Sequence, residues 1–381
     1  MSESEDTSGF LCGLVSLSLL MGLSIGFSRV ITTLYAIKLD AYGGMLAAVA
    51  LSQSIGMLVL GASAGQWVVR YGVRPVFILG TAWGSLVYLV TPLVPNLFAL
   101  LLFSAAASLA MPPRFVSINT IFMSRLHEIG KQRAGWFRAA HVIGMSFMGA
   151  ILATALFPLY GALIALWIAS AIFALNVVVF LLGIGKKGHA ASKTAEKQFR
   201  GSLFADGFAK RVAFWEFAIQ SLGAYYTFYI VVVVLRYLHL SEAVAGYAVA
   251  FQGVAFVLTL ICGGQLVLKY RKLAPVCGVA SVLAALLGLV SSEGQLLLFA
   301  AAIFLGVGLG LLQIINLTQF AQLGEKIGFS RAASINALSG PSGGVFGGLL
   351  GGILEAWISP QHLFLTFVPL IVVLALWLDN D

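Results

Sequence analysis

The chain is built around long stretches that carry no charge, and this limits its fold more than anything else. FLCGLVSLSLLMGLSIGF (residues 10–27) and LFLTFVPLIVVLALWL (residues 363–378) contain none, and they reach or approach the ~20 apolar residues that cross a bilayer core. Lipid offers no partner to open backbone groups, so such runs are expected as helices. Composition agrees: 60% of residues are apolar and 9% charged, against roughly 45–50% and 25% in soluble proteins. The expected class is an all-α polytopic membrane protein. The acidic start MSESEDTSG has no basic n-region, so the first apolar run is expected to stay in the chain. Cys12, Cys262 and Cys277 lack metal-site spacing and read as small packing residues.

Charge and Gly/Pro clusters divide the chain into twelve spans, at 9–37, 43–69, 75–93, 97–122, 138–158, 160–184, 210–235, 243–267, 274–292, 295–321, 332–354 and 360–378. The longest polar interval, 185–209, reads as a cytoplasmic linker between a first six-helix half (1–184) and a second (210–381). With the N-terminus inside, 18 of the 22 basic residues fall in cytoplasmic loops, leaving Arg29, Lys38, Arg114 and Arg236 elsewhere. The positive-inside rule therefore places both termini in the cytoplasm. It also accounts for most of the +8 net charge without nucleic acid as a partner.

One loop raises a separate question. GQWVVRY at 65–71 returns 199 positions later as GQLVLKY at 264–270, and GKQRA at 130–134 returns as GFSRA at 328–332. Two echoes at nearly one offset indicate a parallel repeat. On these residues the chain resembles the major facilitator superfamily, whose loop between helices 2 and 3 reads Gly-x-x-x-Asp-Arg-x-Gly-x-Arg-Lys/Arg. Here the pattern falls on Gly65, Val69, Arg70, Gly72, Arg74 and Pro75. Gly65 lets helices approach, Gly72 permits a turn with positive φ, and the arginines anchor the cytoplasmic face. Val69 and Pro75 depart from the pattern, and Val69 removes the aspartate that in the family helps latch the outward-open state. The family's antiporter motif in helix 5 is incomplete: Gly135 and Gly144 have its spacing, but no Gly-Pro follows. In helix 11, GPSGGVFGGLLGG carries two glycine series, 343/347/351 and 344/348/352, expected to pack at a moving interface.

The resemblance implies a central cavity lined by helices 1, 4, 7 and 10. Arg29 and Arg114 lie in helices 1 and 4. A mid-bilayer arginine costs ~2.5–3.5 kcal/mol, so each is expected to face a cavity or a partner. Bound anion is one reading, and a structural ion pair is the other. Thr32, Thr33 and Tyr35 accompany Arg29, Ser117 shares a face with Arg114, helix 7 offers Gln220 and Tyr226, and helix 10 offers Gln313 and Asn316. These ten are the candidate substrate-binding residues, with interhelical hydrogen bonding as the rival role for each. His141 and Glu216 are the candidates for proton coupling. Glu216, one turn from the inner end of its span, is expected to be interfacial.

Neither a Walker loop nor His-Glu-x-x-His is present, and GASAG at 61–65 and GIGKKG at 183–188 lack the strand-turn-helix or βαβ context that hydrolysis or nucleotide binding needs. No enzyme activity, metal or cofactor is expected. The resemblance implies instead a monomeric secondary transporter in the bacterial inner membrane, driven by the proton gradient. Its expected cargo is a small or medium organic anion, such as a carboxylate or siderophore-like metabolite, moved by alternating access, with uptake preferred. The alternatives are a proton-coupled exporter of amphipathic compounds and a non-transporting scaffold of the same fold.

Overall fold

A computed structural model describes residues 2–41, 44–184, 206–354, 357–359 and 361–376. Among them every regular element is helical. The first run gives α1 (Ser2–Lys38), α2 (Gly44–Tyr71), α3 (Val73–Val90), α4 (Leu97–Ser108), α5 (Met111–Ile129) and α6 (Ala134–Val142). A π-helical turn (Ile143–Gly149) and α7 (Ala150–Gly183) complete it. After residue 205 come α8 (Gly207–Val232), α9 (Glu242–Lys269), α10 (Leu273–Val290), α11 (Gln295–Ile327), α12 (Phe329–Leu354) and α13 (Val368–Leu376).

Among the described residues, each of the twelve expected spans falls on a helical stretch, and eight stretches are long and apolar enough to cross a membrane. Two boundaries needed local chemistry to place. The fourth span is broken at Leu109–Ala110, where Pro112 and Pro113 begin α5; proline lacks the N–H that a helix interior requires but suits a first turn. The fifth and sixth spans are joined within α7, where Gly161 takes φ 74° and ψ 178°, three residues after Pro158. Most of the expected linker, 185–205, lies outside the described residues.

The described residues form two compact units: those within 1–130, 136–203 and 321–338, and those within 131–135, 204–320 and 339–381. In the first, Phe27, Ile31, Tyr88, Leu166 and Phe173 form the core, and α1 packs backbone to backbone on the π-helical turn. A Cβ at Gly22, Gly26 or Gly144 would collide with the carbonyl of His141, Met145 or Leu19 respectively. In the second, α12 lies equally close to α8: a Cβ at Gly343 or Gly347 would strike the carbonyls of Phe217 or Ser221. Of the two glycine series, then, 343/347 packs, whereas Gly344 has open space around its Cα. Large apolar side chains such as Phe98, Leu182 and Leu296 are exposed, as outer faces solvated by lipid require. The three cysteines are exposed rather than packed.

The echoed loops repeat in three dimensions. Gly130 and Gly328 both end helical segments with positive φ, at 93° and 97°, a conformation that glycine alone adopts without strain. Gly72, joining α2 to α3, has φ 86°.

Candidate functional site

In the first unit the polar residues gather around Arg114, which is fully buried. Its Nη2 donates to Ser24 Oγ at 2.8 Å, and its Nη1 lies 3.8 Å from Met111 Sδ. The guanidinium carbon lies 4.1 Å from the Phe173 ring centroid, a cation–π arrangement. Arg114 makes no ion pair among the described residues, and its Nε and the buried Ser117 Oγ have no hydrogen-bond partner. Of the two roles open to Arg114 in the sequence, a structural ion pair is not the one found among these residues.

Tyr88 of α3 completes this group. Its ring packs against that of Phe173 with centroids 5.3 Å apart, and its hydroxyl lies near Ser28, Thr32, Arg29 and Arg114. Tyr35 is buried with Thr32, while Arg29 and Thr33 share an exposed face of α1, Thr33 Oγ1 donating to the Arg29 carbonyl at 3.0 Å. Ser24, Ser28 and Thr32 follow one another at four-residue spacing, which stacks them on a single helix face. Tyr88 and Phe173 gave no signal in the sequence, since both sit in apolar helices whose periodicity reads only as core.

His141 is 8% exposed. Its ring lies near the Ser18 backbone and Arg138 and meets Phe115 edge-on with centroids 6.2 Å apart. The π-helical turn begins two residues later; such turns interrupt the regular ladder and often accompany functional sites.

In the second unit Glu216 is 1% exposed, not interfacial as its place in the sequence suggested. The reason is the start of α8: Asp206 caps it, its side chain accepting from Phe208 N at 3.2 Å, so Glu216 lies more than two turns inside. Three amides donate to its carboxylate. Gln220 Nε2 reaches Oε1 at 2.9 Å, and Gln313 Nε2 and Asn316 Nδ2 reach Oε2 at 2.9 Å each. A carboxylate accepts only, and each amide points a donor at it, so the hydrogen-bonding capacities match. Asn316 Oδ1 is buried without a partner, and Gly340 of α12 lies alongside, its Cβ position 3.4 Å from Glu216 Oε1. Tyr226 is fully buried, and its hydroxyl donates to the Ala248 carbonyl at 2.8 Å, which ties α8 to α9.

Gly65 is buried, whereas Arg70 and Arg74 are exposed and unpaired among the described residues. A Cβ at Gly65 would collide with Ser334 Oγ and lie 2.7 Å from the Ser330 carbonyl oxygen.

Residues 217–380 match the family model described as Major Facilitator Superfamily. No curated protein matches the chain in sequence. Among solved structures, a bacterial homologue of the iron transporter ferroportin, in an outward-facing state, superposes with a TM-score of 0.78 at 17% identity, covering 99% of this chain and 100% of that one. The FucP transporter in the outward conformation gives 0.76 at 14% identity, with 97% of each chain covered. The human organic anion transporter MFSD10 gives 0.71 at 14% identity, over 99% of this chain and 100% of that one. The sequence match to the superfamily's model is confined to residues 217–380, while over its whole length the chain shares the fold of these solved transporters.

Proposed function

We propose that the chain carries a small organic anion across the bacterial inner membrane by alternating access, with uptake coupled to protons and Arg114 as the principal counter-charge for the cargo. In this reading residues 1–184 and 210–381 are the two halves, 185–209 is a cytoplasmic linker, and the protein works as a monomer with both termini in the cytoplasm. One observation supports the cargo class above the others. Arg114 is a fully buried guanidinium with no ion pair among the described residues, and it keeps an unpartnered Nε one turn from the unpartnered Ser117 hydroxyl. Burying such a charge is expensive unless a negative group satisfies it in part of the working cycle.

Arg29 and Thr33, on the exposed face of α1, suit an outer contact for the same anion, with Thr32 and Tyr35 behind them. Gln220, Gln313 and Asn316 in the second unit engage Glu216 and serve the cargo by way of it; Tyr226 supports that wall. Proton coupling is assigned to Glu216, with His141 as the second titratable group. The fold shared with a human organic anion transporter is compatible with this cargo class.

A ligand-dependent thermal-shift measurement on purified protein tests the assignment. Organic acids are expected to raise the melting temperature where their neutral amides do not, and Arg114→Ala should weaken the acid's apparent affinity by about tenfold or more, the scale of a charge-assisted hydrogen bond. Equal responses to acid and amide would refute it.

A further inference from the structure

The two arginines of the opening loop are absent from the site just described, and the surface beside them is unusual. A groove of about 340 Å³ runs between α2, α3 and the α4–α5 break in the first unit. Trp67, Tyr71 and Val76 line it near the loop, and Leu60, Trp83 and Pro113 line its far end. Its walls are apolar and aromatic, and Trp67, Tyr71 and Trp83 are all well exposed.

Length and charge together suggest what the groove takes. From Tyr71 back to Leu60 is eleven residues of α2, and from Arg74 to Trp83 is nine of α3. At ~1.5 Å per residue these are about 16 and 14 Å, close to half of the ~30 Å hydrocarbon core. The groove is therefore long enough to span one leaflet. Arg70 and Arg74 stand at its mouth, both exposed, and the Arg70 guanidinium carbon lies 5.3 Å from the ring centroid of the lining residue Tyr71. Neither makes an ion pair among the described residues. The sequence supplies no local acid for them, since no Asp or Glu occurs between Asp40 and Glu128, and Val69 stands immediately before Arg70.

We infer that this groove is a binding site for one anionic phospholipid of the inner leaflet, its acyl chain lying along α2 and α3 and its phosphate facing Arg70 and Arg74. An anionic headgroup supplies the negative charge that the helices lack, at the depth where basic side chains meet lipid phosphates. Trp67 and Tyr71 suit the boundary between chain and headgroup, where amphipathic rings settle. Such a lipid would brace the α2–α3 turn at Gly72.

Native mass spectrometry of the purified full chain, titrated with phosphatidylglycerol or with phosphatidylcholine of the same chain length, tests this site separately from cargo recognition. Phosphatidylglycerol is expected to be retained about tenfold more tightly. Arg70→Gln/Arg74→Gln should bring the two lipids to parity. Val76→Trp, which fills the groove near its mouth, should weaken retention of both lipids, and glycerol phosphate without acyl chains should not bind. Parity in the unmodified protein, a preference that survives the double substitution, retention untouched by Val76→Trp, or equally tight binding of glycerol phosphate would each overturn the inference. Arg114→Ala is expected to leave the lipid preference intact, so a failed cargo assignment does not carry this one with it.

Discussion

Gly264 of α9 lies directly against Gln132, so close that a Cβ on the glycine would collide with the Gln132 carbonyl oxygen. The sequence repeat makes this contact meaningful. Gly65 is the counterpart of Gly264, Ser330 is the counterpart of Gln132 in the second echoed motif, and Gly65 meets Ser330 in the same way. Each Gly-Gln motif is thus seated on the copy of the Gly-x-x-Arg-Ala motif that lies in the opposite half of the sequence. Glycine is required because a backbone carbonyl cannot swing aside as a side-chain tip can.

Alanine at these positions should therefore destabilise the protein. Gly65→Ala and Gly264→Ala are each expected to cost about 1–3 kcal/mol, the usual range for overpacking, read as a lowered melting temperature in detergent. Gly223→Ala, where the added methyl group would meet nothing within 4 Å, is expected to be neutral or stabilising because alanine favours helix. If all three behave alike, the close approach is not what selects glycine.

Lysine should not replace Arg114. Its ammonium keeps the charge but loses the planar fork that holds Ser24 while stacking on Phe173, so Arg114→Lys is expected to lose most anion transport, within a few-fold of Arg114→Ala. Initial uptake rates in proteoliposomes give the comparison, and near-normal transport by the lysine variant would reduce the role of Arg114 to bulk charge.

Glu216→Gln removes the titratable proton while keeping shape and burial. Substrate exchange across a membrane without a gradient should continue, whereas substrate-driven proton uptake, followed with a pH-sensitive dye, should vanish. Asn316→Ala should lower the uptake rate less than Glu216→Gln lowers proton uptake, since it removes one amide donor and leaves the carboxylate. Persistent proton uptake in Glu216→Gln would move the coupling role to His141.

Much of this molecule was readable from its residues, and the limits of that reading have physical causes. Uncharged runs locate the spans because lipid tolerates little else, and Arg114 is conspicuous because a charge amid such runs is costly. Gly72 was placed by turn chemistry. What stayed hidden depends on tertiary approach. The depth of Glu216 hinges on where Asp206 starts α8, a few residues outside the apolar run. Tyr88 and Phe173 look like any aromatic residue in an apolar helix until Arg114 is set beside them. The π-helical turn after His141 has no periodic signature, because it answers to the contacts of Gly26 with Met145 and of Gly144 with Leu19. Likewise the cysteines, small and apolar, fit core and lipid-facing positions equally well.

The central claim is that an anion crosses the membrane because buried guanidinium chemistry receives it. Counterflow in proteoliposomes tests it most directly: vesicles preloaded with an unlabelled organic acid are diluted into its radiolabelled form, with unmodified protein, Arg29→Ala and Arg114→Ala compared on the acid and on a neutral analogue. The account predicts saturable accumulation of the acid by the unmodified protein and a loss in both variants that is much greater for the acid than for the analogue. Equal loss for both cargoes, or no saturable flux of any organic acid, would contradict it.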